Sequence, residues 1–172
     1  MDKLKQRMKI PLTDGDIRRI LGKDTKIIKY GDLDEYDSID DLLGDANHVV
    51  ILIETEINSG HWVALLRYPN SNFVEWFDSY NLYPDDELNY VNLKMRKTLD
   101  ELKPELSYLL DECPYTVIYN NTDLQEWAPQ VNTCGRHVCL RILNGHKTLP
   151  QYINYIKSFG MSPDLVVCKM IN

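Results

Sequence analysis

Apolar residues run almost without interruption through HVVILIET (48–55), a segment rich in β-branched side chains. A strand that is apolar at consecutive positions has both faces covered, so this stretch predicts a central strand. HWVALLRY (61–68) and NFVEWFDSY (72–80) are two more strand-like runs, and the PNS between them is hairpin turn chemistry. TKIIKY and TVIYNN (116–121) predict shorter strands. Helices are marked by their ends. Thr13 and Asp14 cap DGDIRRILG, which stops at Gly22, and Ser38 caps a short helix that Gly44 closes. The chain from Asp86 to Glu112 reads as helix broken near Pro104. Cys134–Leu143 is helical, with Asn144 and Gly145 as its stop, and Thr148 with Pro150 opens LPQYINYIKSFG. PDLVVCKMIN predicts a strand or an extended tail.

Helices, a strand cluster, helices, one strand and helices again is the order of an α+β domain, not of alternating βαβ units. The expected architecture is one domain over residues 1–172, with a mixed or antiparallel central sheet packed between helices. The start, MDKLKQRMK, carries four basic residues in nine. Residues 1–10 read as a flexible or docking arm.

Charge and cysteine content narrow the chemistry. The net charge of −7 argues against a nucleic-acid partner or an anionic membrane, since phosphate binding needs a basic face. No apolar run approaches the ~20 residues of a membrane helix. Cys113, Cys134, Cys139 and Cys168 form no CxxC pair, so neither a metal site nor a disulfide framework is expected, and a reducing compartment fits best. No metal or organic cofactor is implied.

The residues that stand out are Q-V-N-T-C-G-R-H (130–137), where Cys134 begins a helix. Unpaired N–H groups and the helix dipole at that end favour a thiolate and can donate to an oxyanion. Gly135 leaves room there for a substrate carbonyl. A hairpin centred between Pro69 and Asn70 pairs residues whose numbers sum to 139, which sets His61 opposite Asp78 on one face of the sheet. A carboxylate beside a histidine fixes its tautomer and stabilises the imidazolium. Thiolate, base and orienting carboxylate together make an acyl-transfer centre. The competing reading is a non-catalytic interaction module in which Cys134 and His61 are core residues.

G-H-W (60–62), F-D-S-Y (77–80), a glutamine and N-T-C-G-R-H (132–137) occur in the order His, Asp, Gln, Cys. That order, with Trp directly after His, resembles the adenovirus maturation protease (adenain) and the SUMO-specific proteases, in particular the small forms carried by virophages, polinton-like elements and large DNA viruses. The resemblance covers roughly residues 48 to 145. It implies a cysteine endopeptidase with His61 as general base, Asp78 as its partner and Cys134 as nucleophile at the N-terminus of a buried helix. Trp62 would wall the cleft, and Trp127 would line a substrate groove. The family's oxyanion glutamine lies six or seven residues before the nucleophile. Here Gln125 lies nine before and is preferred, and Gln130 lies four before and is second choice. The resemblance further implies cleavage after small residues such as Gly, a protein or polyprotein substrate such as capsid or core precursors, and a place in the virion or the cytoplasmic virus factory. A ubiquitin- or SUMO-deconjugating protease is the alternative on the same fold.

Overall fold

The computed structural model describes residues 1–172. Its centre is a five-stranded mixed sheet in the order β1-β2-β3-β4-β5. The strands are β1 (Ile27–Lys29), β2 (His48–Glu56), β3 (Ser59–Arg67), β4 (Phe73–Phe77) and β5 (Thr116–Tyr119). The inner three strands are antiparallel, and the two outer strands join them in parallel. The fold is α+β, as the order of elements predicts.

The uninterrupted apolar character of β2 has a direct cause: the sheet is covered on both sides. Val50, Leu52, Trp62, Ala64, Leu66 and Phe77 face one core. Val49, Ile51, Ile53, Val63, Leu65, Val74 and Trp76 face the other. Successive side chains point to opposite faces, so each strand feeds both layers. The first layer is built with α2 (Asp14–Leu21), α6 (Cys134–Leu143), α7 (Leu149–Lys157) and α8 (Pro163–Met170). The second takes α3 (Ile39–Leu43) and α5 (Glu105–Asp111). One ion pair is sealed inside: Arg141 of α6 donates twice to the Glu75 carboxylate of β4, both at 2.9 Å, and both residues are fully buried.

The helix ends follow local chemistry. Thr13 and Asp16 form a capping box on α2, and Thr148 and Gln151 form one on α7. Ser38 caps α3, and Gly44 ends it at φ 57°. Four expectations need correction. The segment 86–112 is broken more than once: a 3₁₀ turn at Asp86–Tyr90, α4 (Leu93–Thr98) capped by Asn92, and then α5. PDLVVCKMIN is mostly helix, because Ser162 caps it, Pro163 starts it, and Val166, Val167 and Cys168 bury along it. Residues 2–8 form α1 (Asp2–Met8), which lies against α8, with Arg7 donating to the Cys168 carbonyl. The hairpin loop is four residues long, not two. Tyr68 N–H bonds to the Phe73 carbonyl, Asn70 takes φ 55°, and Ala64 pairs with Phe77. Each β3 residue therefore meets a partner two positions further along β4. A shift of two preserves the face, so His61 and Asp78 remain on the same side as diagonal neighbours.

Candidate active site

His61 is the third residue of β3. Gly60 precedes it, opposite Glu54, where the strands approach so closely that a Cβ would lie 2.0 Å from the Ile53 carbonyl oxygen. Asp78 follows the last residue of β4. Its Oδ1 accepts from Tyr80 N–H at 2.9 Å, a local turn that aims the carboxylate back at the sheet. The same oxygen lies 2.7 Å from His61 Nε2. That leaves Nδ1 without a partner, and Cys134 lies close enough for the two side chains to shift each other's ionisation.

Cys134 is the first residue of α6. Its cap residue, Thr133, makes no side-chain bond to the helix and gives its hydroxyl to Asp164 instead. The first-turn N–H groups thus stay free of a capping side chain. The backbone N–H groups of Trp62 and Gly135 favour the ionised sulfur.

The charges reinforce one another. Burial alone would depress His61, but the charge and hydrogen bond of Asp78, then those of Cys134, hold it well above the usual imidazole value. Burial pushes the Cys134 thiol up, yet the hydrogen bond and charge of His61 and the two N–H groups carry it below the usual thiol value. This is the electrostatic pattern of a thiolate–imidazolium pair. Burial likewise raises Asp78, and His61, Glu87 and the Tyr80 N–H bring it below the usual carboxylate range.

The loop before α6 brings in the glutamine. Gln125 is buried: its Oε1 accepts from Ser79 Oγ at 2.7 Å, and its Nε2 donates to the Val131 carbonyl at 3.1 Å and to Tyr80 Oη at 3.2 Å. Gln130, the second choice, is exposed. Trp127 is 57% exposed and stacks on Tyr80 at 4.0 Å between ring centroids, and Tyr80 in turn stacks on His61 at 4.5 Å. Trp62 is mostly buried and donates Nε1–H to the Leu12 carbonyl at 2.9 Å. With Gly60, Leu52 and Leu12 it lines a cavity of about 540 Å³ to which His61, Asp78, Cys134 and Gln125 contribute nothing. Gly135 differs from its expected role. Its open side is filled, since a Cβ there would meet Leu12 Cβ at 3.0 Å and Trp62 Cδ1 at 3.2 Å. It serves close packing of α6 against the segment before α2, not access for a substrate carbonyl.

Three contributors escape the pattern of short motifs. Tyr80 covers the His61 ring. Ser79 holds Gln125, and its carbonyl accepts from the N–H groups of Leu124 and Gln125. Glu87 is buried with Oε1 3.7 Å from His61 Nε2. The donor atoms of His61, Asp78 and Glu87 lie within 4.8 Å of one another. A cation placed there would have to break the 2.7 Å bond between His61 and Asp78. Ser79 and Tyr80 were within reach of sequence reasoning, as the last two letters of F-D-S-Y, and Glu87 was not.

No protein-family model matches the chain. It is 34% identical over 171 residues to "Uncharacterized protein V9" of Sputnik virophage, an alignment that spans 97% of each chain. No helix is long and apolar enough to cross a membrane.

Proposed function

We propose that this chain, which belongs to the same family as protein V9 of Sputnik virophage, is a cysteine endopeptidase. The observation that carries the proposal is the His61–Asp78 pair, bonded at 2.7 Å, set beside Cys134 at a helix N-terminus without a capping side chain. In the reaction the Cys134 thiolate attacks a peptide carbonyl carbon, and the carbonyl π electrons move to oxygen. The Cys134 N–H and a donor from Gln125 stabilise that oxyanion, Gln125 exchanging its long bond to Tyr80 for the new one. Imidazolium His61 passes its proton to the leaving amine as the C–N bond breaks. Water, deprotonated by His61, then cleaves the thioester and restores the thiol.

The resemblance to maturation proteases supports cleavage after small residues such as Gly. The relationship to a virophage protein favours capsid or core precursors as substrates, cut in the virion or the virus factory. The test is incubation of wild type and Cys134→Ala with Gly-containing peptides. Wild type is expected to cleave a subset, and the folded alanine variant none. Equal cleavage by both would remove Cys134 as nucleophile.

A further inference from the structure

A second carboxyl group stands behind the triad, and the hydrolytic steps do not use it. Glu87 sits in the 3₁₀ turn Asp86–Tyr90, fixed on either side. Asp85, at φ 73°, accepts from the Tyr30 hydroxyl and from Ser107 N–H, and Leu88 is buried in the second core. No fixed N–H or O–H donor meets either buried Glu87 oxygen, and the same holds for Asp78 Oδ2. One carboxyl oxygen of each, together with a ring nitrogen of His61, lies within 4.8 Å of the others. No lysine or arginine comes within 4.0 Å of either one. The ionisable groups facing Glu87 are Asp78 after β4, His61 of β3 and, just beyond, Tyr80. Glu54 of β2 turns its carboxylate to Asn58 N–H and Lys29 instead.

Two ionised carboxylates in a buried site with one shared counter-charge would repel strongly, whereas one proton between them gives Asp78 Oδ2 and one Glu87 oxygen a partner. Asp78 already bonds His61 and Tyr80 N–H through Oδ1, which favours keeping its charge. Burial, then the hydrogen bond and charge of Asp78, push Glu87 up to about 10, so the proton sits on Glu87.

We infer that Glu87 is a positioning residue of the triad, a neutral acid that donates to Asp78 Oδ2 and so holds the carboxylate charged and oriented on His61. The role rests on the protease reading, but the shared proton does not. The experiment compares wild type, Glu87→Gln and Glu87→Leu. A wild-type minus Glu87→Gln infrared difference spectrum at pH 7 is expected to contain the carbonyl stretch of a protonated carboxylic acid. Glu87→Gln still donates from its amide, so the pH profile of Cys134 alkylation by iodoacetamide should match wild type. Glu87→Leu cannot donate, and alkylation at pH 6.5 should slow roughly tenfold, the equivalent of about one pKa unit. A further readout is thermal stability against pH. A neutral acid in the fold that is ionised when unfolded loses stability as pH rises from about 4.5 towards 10, so Glu87→Gln should gain on wild type between pH 5 and 9.

Absence of the carbonyl band, or equal impairment of Glu87→Gln and Glu87→Leu, overturns the inference and leaves the protease reading standing. A band in a wild type whose Cys134 resists alkylation and cuts no peptide overturns the positioning role together with the protease reading. If Glu87→Leu does not fold, the spectrum and the Glu87→Gln profile decide.

Discussion

Two histidine–aspartate pairs stand close to Cys134, and the fold treats them differently. His61 bonds Asp78 through Nε2 at 2.7 Å and leaves its other nitrogen free beside Cys134. His137, three residues along α6 from the same cysteine, bonds Asp164 of α8 through Nε2 at 3.0 Å, and its Nδ1 faces nothing polar. Asp164 also accepts from the Thr133 hydroxyl and the Glu126 N–H. The second pair is therefore a clamp: one carboxylate ties α8 to the cap of α6, to the body of α6 and to the loop that carries Gln125 and Trp127. Residue type and burial are nearly the same in the two pairs. What separates them is the second ring nitrogen, which in one case is left beside Cys134 and in the other is buried without a hydrogen-bond partner.

The division predicts that activity and stability can be broken separately. His61→Ala should lower peptide turnover by about 10⁴-fold or more while leaving the thermal transition close to wild type, because a single triad member carries most of the effect. Peptide turnover and calorimetry on one preparation decide it, and a collapsed transition would make the first pair structural as well. Asp164→Ala should do the reverse in kind. Removing one partner of a buried pair costs about 3–5 kcal/mol, measurable by urea denaturation. Any loss of turnover should follow from the loosened loop and recover at low temperature. Gln125→Ala should fall between the two. Losing an oxyanion donor costs about 10²–10³ in kcat with little change in KM. A pure KM effect would move Gln125 from the reaction to substrate binding.

Much of this arrangement is legible in the sequence because much of it is local. The strand 48–56 announces its double burial through an unbroken apolar run, and Thr13, Ser38 and Thr148 announce helix starts through their own side chains. The His61–Asp78 pairing is legible only to the parity of the hairpin. The loop length shifts the register by two, and the two residues remain neighbours because side chains alternate with a period of two. Val166 and Val167 pull PDLVVCKMIN towards strand by propensity, but packing against α1, α6 and α7 makes it a helix. Glu87 and Asp164 are out of reach for a plainer reason. Each meets its partner only through tertiary contacts, Glu87 across the 3₁₀ turn after β4 and Asp164 from α8, and neither lies in a motif.

The smallest expected effect separates the two pairs by pH. Burial raises Asp164, but the hydrogen bond and charge of His137, the Thr133 hydroxyl and the Glu126 N–H hold it below the usual carboxylate range. A carboxylate depressed in the folded state stabilises the fold above its unfolded value of about 3.9, and that contribution is lost as pH falls through the folded value. The clamp should therefore weaken on the acid side. Beside the other pair, Glu87 is raised to about 10, so its environment costs stability progressively as the pH climbs. Asp164→Asn should be less stable than wild type by about 1–3 kcal/mol at pH 7. The gap should narrow once the pH drops below about 4, because wild type then loses the same charge. Urea midpoints at pH 7, 5 and 3.5 measure it. A gap that stays constant across that range would mean Asp164 acts through shape alone, and the two pairs would differ in position but not in electrostatic character.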